Sequence, residues 1–201
     1  VIGLWLMACG QPVAVAPPDP SPVDAPASVA VPLSSWARPG VDGQTVALAH
    51  HADSPAIVLI AQGNACPVFQ QYAPTIAAVA ADLVPRGVPL MLINASPQDD
   101  AATIAADLAA YGLTGLPVFV DRDQQMARSL EIVSTTETLV IDPRTWTIVY
   151  RGAIDDQISY DGRKDAPTRN YLRDAVADVF AGTPVRTPKT RSYGCAISYR
   201  R

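Results

Sequence analysis

The stretch that most constrains this chain is Ala56-Ile57-Val58-Leu59-Ile60-Ala61-Gln62-Gly63-Asn64-Ala65-Cys66-Pro67-Val68-Phe69-Gln70-Gln71-Tyr72-Ala73-Pro74. Ile57 to Ile60 is a continuous apolar run bounded by turn residues, the pattern of a strand buried on both faces. Small and polar residues end it, and Cys66 then opens a helix whose next residue is proline. Proline suits a first helical turn, where its missing N–H would have no intrahelical partner. The sulfur is thereby placed at the positive end of a helix, which favours the thiolate and lowers the pKa. A free cysteine can also serve as a small buried hydrophobe. Strand, tight loop, cysteine and helix in that order is instead an arrangement for thiol chemistry.

Downstream, the hydrophobic period alternates between that of strands and that of helices. Tyr72, Ile76, Val79 and Leu83 share a helical face, which ends near Val84-Pro85-Arg86-Gly87. Pro89 to Asn94 reads as a second buried strand, and Asp99 or Asp100 caps a helix through Ile104, Leu108 and Tyr111. Val118 to Val120 is a short strand and Asp123 to Leu130 a short helix. Thr138 to Asp142 and Thr147 to Tyr150 stand at hairpin distance, and a last helix runs from about Thr168 to Phe180, stopped by Gly182 and Pro184. Upstream, Gln44 to Leu48 alternates like an edge strand. The sum is an α/β sandwich.

Cys66-Pro67-Val68-Phe69 occupies the place of the Cys-x-x-Cys of thioredoxin-like proteins, and Pro74 stands eight residues after the cysteine, where thioredoxins carry a helix-kinking proline. Further matches are Asp142, Tyr150 to Gln157, Ala166 to Ala175, Ala181 to Val185 and Gly194-Cys195-Ala196-Ile197. With these, roughly residues 41–197 resemble the bacterial redoxin-domain proteins of the thioredoxin-like/peroxiredoxin superfamily. The resemblance implies a thioredoxin-like fold, a central mixed β-sheet flanked by helices, with Cys66 as the reacting thiol. Two departures stand out. Phe69 replaces the second cysteine, so exchange between two thiols within one helical turn is impossible. Thr136, in Val133-Ser134-Thr135-Thr136-Glu137, stands where thioredoxins place a cis-proline facing the active site. The equivalent thioredoxin loop pairs with extended substrate, which makes the backbone of Thr135 and Thr136 the candidate substrate-binding edge.

Cys195 lies beyond the last helix, in Tyr193-Gly194-Cys195-Ala196-Ile197, a composition more apolar than a frayed terminus needs. The thirteen steps from Gly182 to Cys195 can span about 43 Å at roughly 3.3 Å each. The closing helix is only about 20 Å long, so the tail can return to Cys66. The expectation is that Cys195 folds back and forms a disulfide with it. Asp155-Asp156-Gln157 follow a strand aimed at the cysteine end; these carboxylates either relay a proton or hold the long 158–167 loop. His50 and His51 have no carboxylate or thiol partner in register, so neither a metal nor another cofactor is expected.

Residues 1–10 look like the end of a bacterial lipoprotein signal peptide: an apolar run, too short to span a bilayer, ends in Leu6-Met7-Ala8-Cys9. Cys9 is the candidate lipidation site. Residues 11–35 hold seven prolines and no periodic pattern, the composition of a semi-rigid tether. The redoxin domain is expected over 36–197. A formal net charge of −4 over 201 residues offers no basic field for nucleic acid. The leading reading is an exported, lipid-anchored thiol/disulfide oxidoreductase of the bacterial envelope or periplasm. Its partners would be protein thiols and disulfides or an envelope redox protein, with Cys66 attacking and Cys195 resolving. Two others compete. One is a non-catalytic binding or assembly module stapled by a structural Cys66–Cys195 disulfide. The other is a peroxiredoxin-like peroxidase, although such enzymes carry threonine three residues before the reactive cysteine, where this chain has Gly63.

Overall fold

Five strands form the central sheet of the computed structural model, which describes residues 31–201. Chain order is β1 (Ala37–Pro39), β2 (Thr45–Ala47), β3 (Ile57–Gln62), α1 (Pro67–Leu83), β4 (Leu90–Asn94), α2 (Ala101–Ala110), β5 (Val118–Val120), α3 (Gln125–Ser129), β6 (Thr138–Asp142), β7 (Thr147–Gly152), β8 (Ile158–Ser159), β9 (Gly162–Arg163) and α4 (Tyr171–Phe180). The main sheet runs β5-β4-β3-β6-β7, with β3, β4 and β5 parallel and β6 and β7 antiparallel to their neighbours. This is the expected thioredoxin-like mixed sheet, and each of its strands falls within a residue or two of its expected place.

Alternation along the buried strands sends successive side chains to opposite faces. Val58 and Ile60 of β3 and Leu90 and Leu92 of β4 pack with α1, α2 and α4 through Phe69, Ile76, Ile104, Leu108, Leu172 and Val176. Ile57 and Leu59, with Met91 and Ile93, pack on the other face against α3 and the N-terminal segment through Met126, Leu130, Trp36 and Leu48. Both faces of β3 are thus dry, as its unbroken apolar run requires. Asp100 caps α2 in a capping box, accepting from the Thr103 N–H at 2.8 Å while the Thr103 hydroxyl oxygen accepts from the Asp100 N–H at 3.0 Å.

The expected strand at Gln44 to Leu48 is present as β2, which pairs with β1 in an antiparallel ribbon separate from the main sheet. Three local expectations shift. The last helix begins at Tyr171 rather than Thr168, because the N–H groups of Thr168 and Arg169 are taken by the Asp156 carboxylate at 2.8 and 2.9 Å. Packing also begins before residue 36: Leu33, assigned to the tether, is buried in the core beside Trp36. At the other end it continues past Ile197, where the Tyr199 hydroxyl donates to the Ile132 carbonyl at 2.5 Å. Cys9, the signal-peptide remnant and most of the proposed tether lie outside the described residues.

Candidate active site

Cys66 is the N-cap of α1, with extended backbone and Pro67 at the first helical position. Its main chain closes the turn after β3 by donating to the Gly63 carbonyl at 3.3 Å and accepting from the Gln70 N–H at 3.0 Å. The preceding Ala65 has φ 56°, a left-handed conformation that is uncommon outside glycine. Across from it, Thr136 has φ 63°, which is costly for a β-branched residue. Two hydrogen bonds hold Thr136 there: its N–H donates to the Ala61 carbonyl at 2.7 Å, and its hydroxyl donates to the Tyr193 carbonyl at 2.6 Å. Two of the five left-handed non-glycine residues among those described thus flank the sulfur, as in sites that over-determine a reacting group.

The tail brings Cys195 to the same place. After α4 the chain runs beside β7, where the Arg151 N–H donates to the Pro188 carbonyl and the Thr190 N–H to the Arg151 carbonyl, both at 2.9 Å. It then pairs antiparallel with the loop before β6. The Thr135 N–H donates to the Cys195 carbonyl and the Ile197 N–H to the Val133 carbonyl, again at 2.9 Å. Both cysteines are free thiols, Cys66 buried and Cys195 partly so. The expected approach of Cys195 to Cys66 is therefore present, while the expected bond between them is not formed in this structure.

Thr135 is the hub of the site. Its hydroxyl oxygen accepts the Cys195 N–H at 2.8 Å and lies 3.0 Å from the Cys66 sulfur. With a lone pair engaged by that N–H, its single proton is free to be donated to a Cys66 thiolate. The resemblance makes the backbone of Thr135 and Thr136 a substrate edge; here the tail takes the Thr135 N–H and β3 takes that of Thr136. Gly63 makes room for this: a Cβ there would stand 2.8 Å from the Thr135 methyl group. A threonine at that position, as the peroxidase pattern would have, cannot coexist with Thr135 in its present place.

The two thiols are pulled apart in acidity. Burial pushes Cys66 up, but donors outweigh it: the Cys195 thiol, the Thr135 hydroxyl and the N–H groups of Phe69 and Cys195 hold it below an ordinary cysteine. The helix start contributes through the Phe69 N–H, but the tail and Thr135 supply most of the donors. Cys195 goes the other way, pushed up to about 11 by burial and by its hydrogen bond to the Cys66 sulfur. Alkylation followed against pH and resolved by peptide mapping is expected to give two midpoints, one below that of a free cysteine for Cys66 and one near 11 for Cys195. Coincident midpoints would show that the thiols do not share a proton.

Several residues that shape the site carry no obvious local signal. Glu137 is buried; it accepts the Val133 N–H at 2.8 Å and pairs with Arg151 at 2.6 Å. Arg151 also donates to the Leu130 carbonyl at 2.5 Å, so one ion pair ties the Thr135 loop to β7. Gln124, also buried, clamps the tail's end by donating to the Ser198 carbonyl at 2.9 Å and accepting the Arg200 N–H at 2.7 Å. Asp121 accepts from the N–H groups of Met126 and Ala127 and pairs with Arg38; burial raises its pKa despite these bonds. Of the acidic pair, Asp155 accepts from the Tyr72 hydroxyl at 2.9 Å, and Asp156 gathers Lys164, Thr168 and Arg169. The Asp156 oxygens and Asp155 Oδ1, which also accepts the Gln157 N–H at 2.9 Å, hold the loop that ends at α4, the structural role of the two expected. His50 and His51 close a single 3-10 turn at Leu48–His51; burial, then the neighbouring His50, lowers the pKa of His51.

A cleft of about 250 Å³ reaches Cys66, lined by Gln62 to Ala65, Ala95 to Asp99, Thr135 and the Cys195 to Ser198 segment. Beneath it the Asn94 amide donates to the Gln62 side-chain oxygen at 2.7 Å and to Asp99 at 2.9 Å, a saturated network that fixes the floor.

The fold and the helix-capping cysteine define a thioredoxin-like protein of the redoxin kind. Residues 29–157 match the model of the AhpC/TSA family, and the chain belongs to that family. Among solved structures it is similar to a hypothetical protein from Sinorhizobium meliloti 1021, at 27% identity and TM-score 0.75, over 87% of this chain and 96% of that one. An uncharacterized conserved protein from Geobacillus kaustophilus gives 26% identity and TM-score 0.72, over 82% and 88%. MTB dsbF, solved in mixed oxidized and reduced forms, shares the fold at 16% identity and TM-score 0.56, over 76% and 98%. No curated protein matches the chain significantly.

Proposed function

We propose that this protein is a thiol/disulfide oxidoreductase in which Cys66 attacks and Cys195 resolves. The observation that carries the reading is the convergence of both cysteines on one threonine hydroxyl, 3.0 Å from the Cys66 sulfur and accepting the Cys195 N–H at 2.8 Å, with the two thiols opposed in proton affinity. Cys66, the better thiolate, attacks one sulfur of a substrate disulfide; that bond breaks, the leaving thiolate takes a proton, and a mixed disulfide forms. Cys195 then attacks the Cys66 sulfur, releasing the second substrate thiol and leaving a Cys66–Cys195 disulfide. The substrate gains two electrons and the protein pair loses two. The distant cysteine thus does the work that Phe69 cannot do in the helix. The test is a single turnover: fully reduced protein is mixed with a chromogenic disulfide, and released thiol is counted. Two thiols released per substrate disulfide, none above background with Cys66→Ser, is the expected result; equal release by that variant removes the proposal.

A peroxidase is the second reading, favoured by the family match and by a cleft at Cys66 small enough to suit a peroxide. There the thiolate would attack the O–O bond, giving a sulfenic acid and an alcohol or water, and Cys195 would condense with the sulfenic acid, expelling water. Peroxide loss dependent on Cys66, without reduction of disulfides, would favour it.

Export and tethering are proposed on the sequence alone, from the apolar run ending at Cys9 and the proline-rich 11–35 segment. The partners would then be protein thiols or disulfides, or a redox protein of the envelope, where disulfides persist. Labelling of cells with a fatty-acid analogue is expected to mark the wild type and not Cys9→Ser; equal labelling of both, or of neither, removes the lipid anchor.

A further inference from the structure

Cys66 is only 3% exposed, packed into the core on the α1 side with Thr135 and the chain's own tail against it. The covering segment is extended and makes an isolated antiparallel bridge to the loop before β6. Ser134 faces Ala196 in that bridge, flanked by the Thr135-to-Cys195 and Ile197-to-Val133 hydrogen bonds. Cys195 and Ile197 pack against the two core clusters and Ser192 and Ala196 line a cleft of about 640 Å³, whose wall Gly194 joins through its backbone while its missing Cβ would point at Thr135. The outer side of the segment therefore borders open space into which it can lift, and its inner side borders the smaller cleft at Cys66. Its close approach depends on Gly194, whose absent Cβ would fall on the Thr135 carbonyl oxygen, closer than any side chain can stand.

From this geometry we infer that the Val133–Thr135 edge is a docking site for an extended polypeptide carrying glycine immediately before its reactive cysteine, and that residues 193–197 are a built-in stand-in for that segment, displaced when a partner binds. The inference rests on Cys66 being the reacting thiol and adds who reaches it. Small disulfides enter through the narrow cleft with the tail in place, whereas a protein disulfide must first replace the tail. The docked partner's cystine then lies where Cys195 lay. Cys66 attacks the near sulfur, the far sulfur leaves as a thiol, and the tail's return brings Cys195 back to break the mixed disulfide. The same backbone donors and acceptors serve both occupants, since strand pairing reads main chain and leaves selection to close-fitting positions such as 194.

The test uses the full chain with Gly194→Ala, which evicts the tail while keeping the Cys66 thiol. Alkylation of Cys66 by iodoacetamide and by a maleimide carried on a large polyethylene glycol is compared on a Cys195→Ser background. The bulky-to-small rate ratio is expected to rise roughly tenfold or more with Gly194→Ala; an unchanged ratio overturns the proposal, and this readout needs no enzymatic activity. Folding of the variant is checked by its melting curve. Should it not fold, the opposite variant decides: the Ser134 and Ser192 hydroxyls lie 3.0 Å apart, so oxidised S134C/S192C pins the tail. Pinning is expected to lower bulky labelling of Cys66 at least as far, with iodoacetamide labelling kept; equal bulky labelling overturns the proposal. Selection is read with two peptide disulfides of sequence Tyr-Gly-Cys-Ala-Ile and Tyr-Ala-Cys-Ala-Ile. The glycine peptide is expected to form the mixed disulfide roughly tenfold faster, and equal rates remove the glycine requirement. Loss of disulfide reduction in wild type with the labelling pattern intact would instead strike only the oxidoreductase reading.

Discussion

Cys195→Ser is expected to stop turnover while leaving the first attack in place. The serine hydroxyl can still donate to the Cys66 sulfur, and its backbone N–H still reaches Thr135, so the donors that favour the Cys66 thiolate remain. What is lost is the second sulfur. The mixed disulfide between Cys66 and substrate has no internal thiol to resolve it and accumulates, visible as a mass increase equal to one substrate half. Steady-state reduction of a protein disulfide, with a small dithiol recycling the enzyme, is expected to fall roughly a hundredfold or more, because removing one member of a unit disables the unit. Full activity in this variant, with no trapped adduct, would mean that another thiol resolves Cys66, and the role given to the tail would be wrong.

The largest effect on stability is expected from Glu137→Ala. Glu137 is 3% exposed and its partner Arg151 has a side-chain exposure of 16%, so removing the carboxylate leaves a guanidinium largely out of water. Stripping one partner from a buried ion pair costs about 3–5 kcal/mol. For a domain of this size that is a fall in melting temperature of roughly 6–20 °C. The damage reaches the site, because Glu137 also accepts the Val133 N–H and so shapes the loop carrying Thr135. Cys66 alkylation is therefore expected to lose its low-pH midpoint in the same variant. Arg151→Ala should cost a similar amount, and the double variant less than the sum of the two, as residues of one network require. Singles that each cost under about 1 kcal/mol would place the pair among exposed bridges and free it of this role.

Legibility followed sequence separation. Pro67 after Cys66, the apolar run of β3 and the spacing of Tyr72, Ile76, Val79 and Leu83 are local patterns, and each produced the element it predicts. The Asp155 and Asp156 pair was readable only as two alternatives, since the partners that decide between them, Tyr72 and Lys164, come from α1 and a later loop. Gln124 looks like one polar residue among several at a helix start; its burial and its hold on Arg200 exist only once the tail is docked. Thr135 was visible as part of a substrate-facing loop, but not as the residue that joins two cysteines.

The sequence alone determined that a thiol would cap a helix at the end of a buried strand, because apolar period, turn residues and proline act within a few residues of one another. It also set the reach of the tail, since chain length bounds distance. Only the tertiary structure decided what Cys66 meets and how it ionises. The Thr135 hydroxyl lies 69 positions from Cys66 and 60 from Cys195 along the chain, and the donors that outweigh burial at the sulfur arrive through that contact. Hydrogen bonds to a thiolate act over a few ångströms, so the acidity of Cys66 belongs to the folded arrangement and not to the helix start by itself.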